Sequence, residues 1–359
     1  VWLFRAAPAL FLLSTALAAD PVTQLLRRIQ DKKVEVRFDE ERGYLPWLLQ
    51  ALDIPIESQM LVFSKTSVQA LRIDPRRPRM LYFNDSVIVG SVPGGAIELA
   101  AQDPQRGMVF YLLDQTPLRY KAFLSQPQPI FPVTQRGDCA TCHLSKSSGA
   151  LETLIRSVTP DSAGVPLPAF ASRVTDNRTP FGQLWGGWYV TGKTSAKHLG
   201  NTVIADGREK HLEPTGPSDI VALMVFEHQM RVMNLISRAA LGGSATDLAD
   251  ALLFQGEAPL PSPVSGNTLF AEKFATRGPH DRQGRSLRTL DLTTRLMRYP
   301  CSYMVYSEAF DALPSTTRQA VYRRMWDVLG NREEIQSRPV IEILRDTKPD
   351  LPAYFSLTP

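Results

Sequence analysis

The stretch SVIVGSVPGGAIELAA, residues 86–101, decides the fold class. Two short apolar runs rich in β-branched residues, 86–92 and 96–101, flank Pro93-Gly94-Gly95. Proline presets a turn and glycine accepts positive φ, so the pattern predicts a hairpin. The same texture continues outward in MLVF (60–63), RMLYFN (79–84) and GMVFYLL (107–113). The turn signals DPRRP, ND and DPQRG separate these runs, so residues 58–113 read as a strand-rich block. Arg76, Arg77 and Arg79, interrupted by Pro78, read as a solvated loop. The proline-rich QPQPIFPVTQRG (126–137) is expected to keep the chain extended and to stop the strand block.

Helical periodicity takes over in the second half. SDIVALMVFEHQMRVMNLISRA (218–239) carries apolar residues at helical spacing, with Ser218 as the expected N-cap. TDLADALLFQ (246–255), PSTTRQAVYRRMWDVLG (314–330, capped by Ser315) and PVIEILRDT (339–347, Pro339 in its first turn) read as further helices. Near the start, PVTQLLRRIQDK (21–32) places Leu25, Leu26 and Ile29 on one face. Residues 159–180 read as loop. The whole is expected to be α+β: a signal segment at 1–19, a β-rich region at 20–125, and a region at 126–359 with a mainly helical C-terminal part.

The chain has 359 residues, 43% hydrophobic and 21% charged, with a formal net charge of +4. That composition is globular, and the scattered basic residues do not make a nucleic-acid surface. Arg5 precedes the apolar AAPALFLLSTALAA, which ends in an A-x-A pattern, so export and cleavage near Ala19 are expected. No later run is long enough to span a bilayer, so no membrane span is expected after cleavage.

Three cysteines are too few for a disulfide framework. Two of them lie in DCATCH (138–143). The spacing C-x-x-C-H is that of covalent haem attachment, in which both thiols become thioethers and the next histidine reaches the iron. A structural zinc site needs four ligands, and neither a second C-x-x-C nor an H-x-x-x-H follows. A redox dithiol prefers a strand-to-helix context, whereas proline-rich sequence precedes this one. Cys139 and Cys142 are therefore expected to hold one haem c, with His143 as proximal ligand. Cys301 reads as a buried thiol.

The segment Cys139–His143 resembles the attachment site of c-type cytochromes. YFND (82–85), VPGGAIELAA (92–101), TPFGQLWGGWYVTG (179–192), HLGN (198–201), SDIVALMVFEHQ (218–229) and YPCSYMVYSEAF (299–310) are similar to stretches of large bacterial periplasmic proteins with a cytochrome c domain. The resemblance implies one covalent haem and a periplasmic location. It specifies only Cys139, Cys142 and His143 as functional residues. The chain is much longer than a small cytochrome c, so a simple carrier role does not transfer intact.

The sixth iron ligand separates an electron carrier from an enzyme. His228, inside the 218–239 helix, is the first candidate, with Arg231 one turn on as a propionate partner. His198, beside Gly200, is the alternative. Met304 is a weaker one, and Met230 and Met233 read as core. His211 and His280 read as solvated. Trp185 and Trp188 are expected to wall the haem pocket, and Arg178 to pair with a propionate. The expected function is electron transfer between redox partner proteins in the periplasm. The alternatives are a peroxidase-like haem oxidoreductase with an open iron and a non-catalytic haem sensor.

Overall fold

The computed structural model describes residues 19–117, 133–137, 139–145, 148–330 and 337–356. The expected signal segment and cleavage site, the prolines before residue 133 and the boundary at 125/126 lie outside those residues, apart from Ala19.

The strand block folds as read. β1 (Met60–Val62), β2 (Arg79–Phe83), β3 (Val87–Ser91), β4 (Ile97–Asp103) and β5 (Gly107–Leu113) form consecutive antiparallel neighbours. The β3–β4 register pairs Val89 with Leu99, and Gly94 in the intervening turn has φ +69°. Asn84 closes the β2–β3 turn by accepting from Ser86 N and Val87 N. The block does not stop at the proline-rich stretch, because Val133–Gln135 forms β6 and pairs with β5. Proline composition hid this strand: Val133 follows the last proline, and an edge strand of three residues carries little pattern of its own. Arg79 is also not solvated. It opens β2 and pairs with Glu98 on β4, lying across Gly90 of β3, where a Cβ would meet its guanidinium.

Helices cover both faces of the sheet. Val87, Val89, Ile97, Leu99, Val109 and Tyr111 face α1 (Pro21–Gln30) and α2 (Leu45–Ala51). Phe83, Ile88, Ala100, Met108 and Phe110 face the larger C-terminal core. This explains why β3 and β5 read as continuous apolar runs, since neither face meets water. α1 is fastened by buried Asp20, which caps it at Val22 N and Thr23 N and accepts from Tyr111 Oη of β5 at 2.7 Å.

The next helical turn, α3 (Ala140–His143), follows β6 directly. The central element is α4 (Ile220–Ala240), buried at every position from Ile220 to Met230. A helix apolar all round belongs in a core. Its N-cap is Asp219 rather than Ser218: Asp219 accepts from Val221 N, while Ser218 donates to Tyr189 O and accepts from Leu61 N. Both residues suit a cap, and the long-range partners of Ser218 decide between them.

Around α4 pack α5 (Ala245–Leu252), α6 (Phe270–Thr276), α7 (Glu308–Asp311), α8 (Ser315–Leu329) and α9 (Ser337–Thr347). Ser315 is the first residue of α8 and Pro314 is its N-cap, so the expected serine cap is not formed. α9 starts before Pro339, at Ser337. Small antiparallel pairs decorate the loops: β7 (Ile155–Ser157) with β8 (Arg173–Thr175), β9 (Lys193–Thr194) with β12 (Val264–Ser265), and β10 (Thr202–Ala205) with β11 (Arg208–His211). β8 therefore interrupts the expected 159–180 loop. The architecture is α+β, with an antiparallel sheet in the N-terminal half and helices dominating the C-terminal half.

Candidate functional site

The DCATCH segment is held from two sides. On the sheet side, the pairing of β6 with β5 continues with Arg136 N donating to Phe110 O, which delivers the chain to α3 at the sheet edge. Cys139 O then accepts from both Cys142 N and His143 N, so the two cysteines and the histidine share one helical turn. Cys139 is half-buried against the core and Cys142 is exposed. Asp138 lies outside the described residues.

On the helix side, the chain turns back at Gly149, and Glu152 N donates to His143 O. The imidazole answers: His143 Nδ1 lies 2.7 Å from Glu152 O. A carbonyl only accepts, so Nδ1 carries the proton and Nε2 keeps its lone pair. The ring packs against Phe110 at 4.5 Å between centroids. Burial holds its pKa below the ordinary value, with Arg79 and Arg156 adding to the effect, so the neutral form is favoured.

Glu152 is itself fixed. Its carboxylate takes a two-point contact from Arg238 of α4, Nε and Nη2 each at 2.7 Å, and a bond from Ser148 Oγ at 3.0 Å. Burial raises the Glu152 carboxyl, but the Arg238 and Ser148 bonds outweigh it and hold it below its usual range. One residue on, Thr153 exchanges backbone bonds with the Asn234 amide. The sequence reading missed Phe110, Glu152, Asn234 and Arg238. No local signal marks them, since Glu152 and Arg238 are 86 residues apart.

The other candidates sit elsewhere or are already engaged. His228 is on α4 ten residues before Arg238, about 15 Å along the axis. It is fully enclosed, its Nε2 2.7 Å from Ser302 Oγ and its ring stacked on Phe254 at 4.1 Å. Burial pushes its pKa down to about 3. Met304 has no exposed surface and belongs to the same core. His198 accepts from Gly200 N at Nδ1, which places the neutral proton on Nε2, and its ring leans on Trp185. Trp185 and Trp188 are core residues, 1% and 4% exposed, and Trp188 Nε1 donates to Arg156 O of β7. Arg178 forks onto Asp176 at the surface, and Arg231 lies beside Asn177. His211 and His280 are exposed, and Cys301 is a buried thiol whose pKa burial pushes up to about 12.

Among the described residues, no three His, Cys, Asp or Glu side chains converge as a metal-ion site. Among them too, no helix is long and apolar enough to cross a membrane. No family model matches the chain, and no curated protein or solved structure matches it.

Proposed function

We propose that this chain is a monohaem c-type cytochrome of the periplasm, transferring electrons between redox partner proteins. Cys139 and Cys142 would carry the thioethers and His143 would be the proximal ligand. The observation that supports this reading best is the 2.7 Å bond from His143 Nδ1 to the Glu152 carbonyl. A metal-bound imidazole commonly donates its other N–H to such an acceptor, which orients the ring and leaves Nε2 for the metal. The donor set fits the group: two cysteines one turn apart, one exposed, and a histidine held neutral beside them. When bound, the haem supplies one-electron chemistry. The chain's own residues do the positioning. Glu152 sets the imidazole, Arg238 sets Glu152, and the β5–β6 pairing sets the turn that carries both cysteines.

A second reading, an open iron site doing peroxidase-like chemistry, draws support from the engagement of the other candidates. His228 and Met304 are enclosed in the core, and His198 spends its Nδ1 lone pair on Gly200.

The test is to produce the protein with a haem-attachment system and record its mass and its visible spectra with and without carbon monoxide. One covalent haem per chain is expected, lost in Cys139→Ala and Cys142→Ala. A low-spin spectrum indifferent to carbon monoxide supports electron transfer, and ready carbon monoxide binding moves the assignment to the open-iron enzyme. A polypeptide of unmodified mass after production with the attachment system would refute both. Arg238→Gln should loosen the Glu152 carbonyl, weaken the imidazole as a donor, and raise the midpoint potential.

A further inference from the structure

A charged pair sits on the sheet beside the DCATCH site. Arg79 at the start of β2 reaches across β3 to Glu98 of β4, and the two side chains are only 22% and 18% exposed. Glu98 Oε1 accepts from Ser67 Oγ and Gln69 Nε2, each at 2.9 Å, while the other carboxylate oxygen faces Arg79. The crossing is possible because β3 carries Gly90 between them. A Cβ there would lie 2.5 Å from Arg79 Nη2.

Stability does not account for this arrangement. Glycine weakens a strand interior, and a largely buried ion pair gains little over its desolvation. Arg79 Nε is also buried without a partner. The place of the pair is informative. Glu98 and Ala100 share one face of β4, because alternate residues do. Ala100 pairs with Phe110, the residue on which the His143 ring packs. Glu98 is thus the diagonal neighbour of Phe110 on that face, about 7–8 Å away across the sheet. The imidazole feels both charges. Burial is the main cause of its low pKa and the Glu152 carbonyl opposes it; Arg79 then lowers it further, Glu98 raises it, and Arg156 acts with the sign of Arg79.

We propose that the Arg79–Glu98 pair sets the reduction potential of the haem held by His143, an inference that rests on the haem reading. One-electron reduction by a partner protein lowers the charge at the haem by one. A nearby cation therefore favours the reduced form and a nearby anion the oxidised form, and solvent salt screens a largely buried charge little. At an effective dielectric of about 20, a unit charge about 10 Å away changes such an equilibrium by roughly tenfold. For one electron that is about 59 mV. Gly90, Ser67 and Gln69 keep the two charges at fixed places, so their opposed effects are built into the sheet. Neither side chain needs to touch the haem.

The full chain would be produced with a haem-attachment system, its mass checked, and its midpoint potential read by visible redox titration. Arg79→Gln should lower the potential and Glu98→Gln should raise it, each by severalfold in the reduction equilibrium. Arg79→Lys keeps the charge and should stay near the wild type. A merely structural pair predicts something else, since breaking it from either side removes the same contact and moves the potential the same way. The double variant Arg79→Gln/Glu98→Gln strands no charge and should lie between the two single variants. If Arg79→Gln does not fold, the double variant must still lie below Glu98→Gln. Shifts of one sign, or none, in a haem-bearing chain would overturn this proposal and leave the haem reading standing. A chain of unmodified mass would overturn both.

Discussion

Glu227 and His228 are consecutive, fully buried and each short of one partner. Glu227 Oε1 accepts from Thr175 Oγ1 at 2.9 Å, while Glu227 Oε2 and His228 Nδ1 have none. Burial pushes the Glu227 carboxyl up to about 8. Its folded pKa lies above the unfolded one, so its contribution is full below the unfolded pKa and is lost as pH rises through about 8. Glu227→Gln keeps the Thr175 bond and cannot ionise. It should stabilise the protein by on the order of 2–3 kcal/mol above pH 8 and by little near pH 5, read from urea unfolding at both. An unchanged difference across that range would show that Glu227 is ionised in the fold. His228 runs the other way. Its folded pKa is depressed, so its contribution is full above its unfolded pKa and is lost as pH falls toward about 3.

At the level of elements, the start of α4 is the most heavily used junction. Asp219 has no exposed surface; one carboxylate oxygen caps the helix at Val221 N. The other accepts from Asn267 N, Thr268 N and Thr268 Oγ1, which fastens the segment leading into α6. An ordinary exposed cap is worth about 1 kcal/mol. Asp219→Ala also leaves three partly buried donors without their acceptor and should cost about 2–4 kcal/mol, with Asp219→Asn recovering part. Denaturant midpoints check this, and a loss near 1 kcal/mol would reduce Asp219 to a simple cap. The elements themselves were largely legible. Strands β1 to β5 and the long helices follow from period and turn chemistry, which act over a few residues. The misread features include β6, β8, the pairing of Arg79 and the caps of α4 and α8; the strands, Arg79 and the α4 cap were decided by partners distant in sequence.

Across the whole molecule, one sheet serves two cores. The face bearing Phe83, Ile88 and Phe110 is covered by the C-terminal helices, and β6 comes from beyond the expected boundary. Polar ties cross the same junction: Arg288 pairs with Asp85, Gln229 Nε2 donates to Asn84 O at 2.7 Å, and Gln102 Nε2 to Met233 O at 3.0 Å. A fragment of residues 19–125 would expose that apolar face and lack its sixth strand. It should not give a dispersed amide NMR spectrum, whereas the full chain should melt in one calorimetric transition. A well-folded fragment would show that the two regions are separable.

The sequence by itself determined what short-range chemistry can encode: short apolar strand runs between turn signals, helical periods, a turn at Pro93-Gly94-Gly95, and two cysteines and a histidine on one turn. Tertiary structure alone decided what depends on distant residues. It brought Glu152 to His143 and Arg238 to Glu152, enclosed His228 and Met304, and laid Arg79 across Gly90 to Glu98. The reason is physical. Burial and hydrogen-bond partners are set by which surfaces meet, and residues 86 positions apart share no local pattern that announces the meeting.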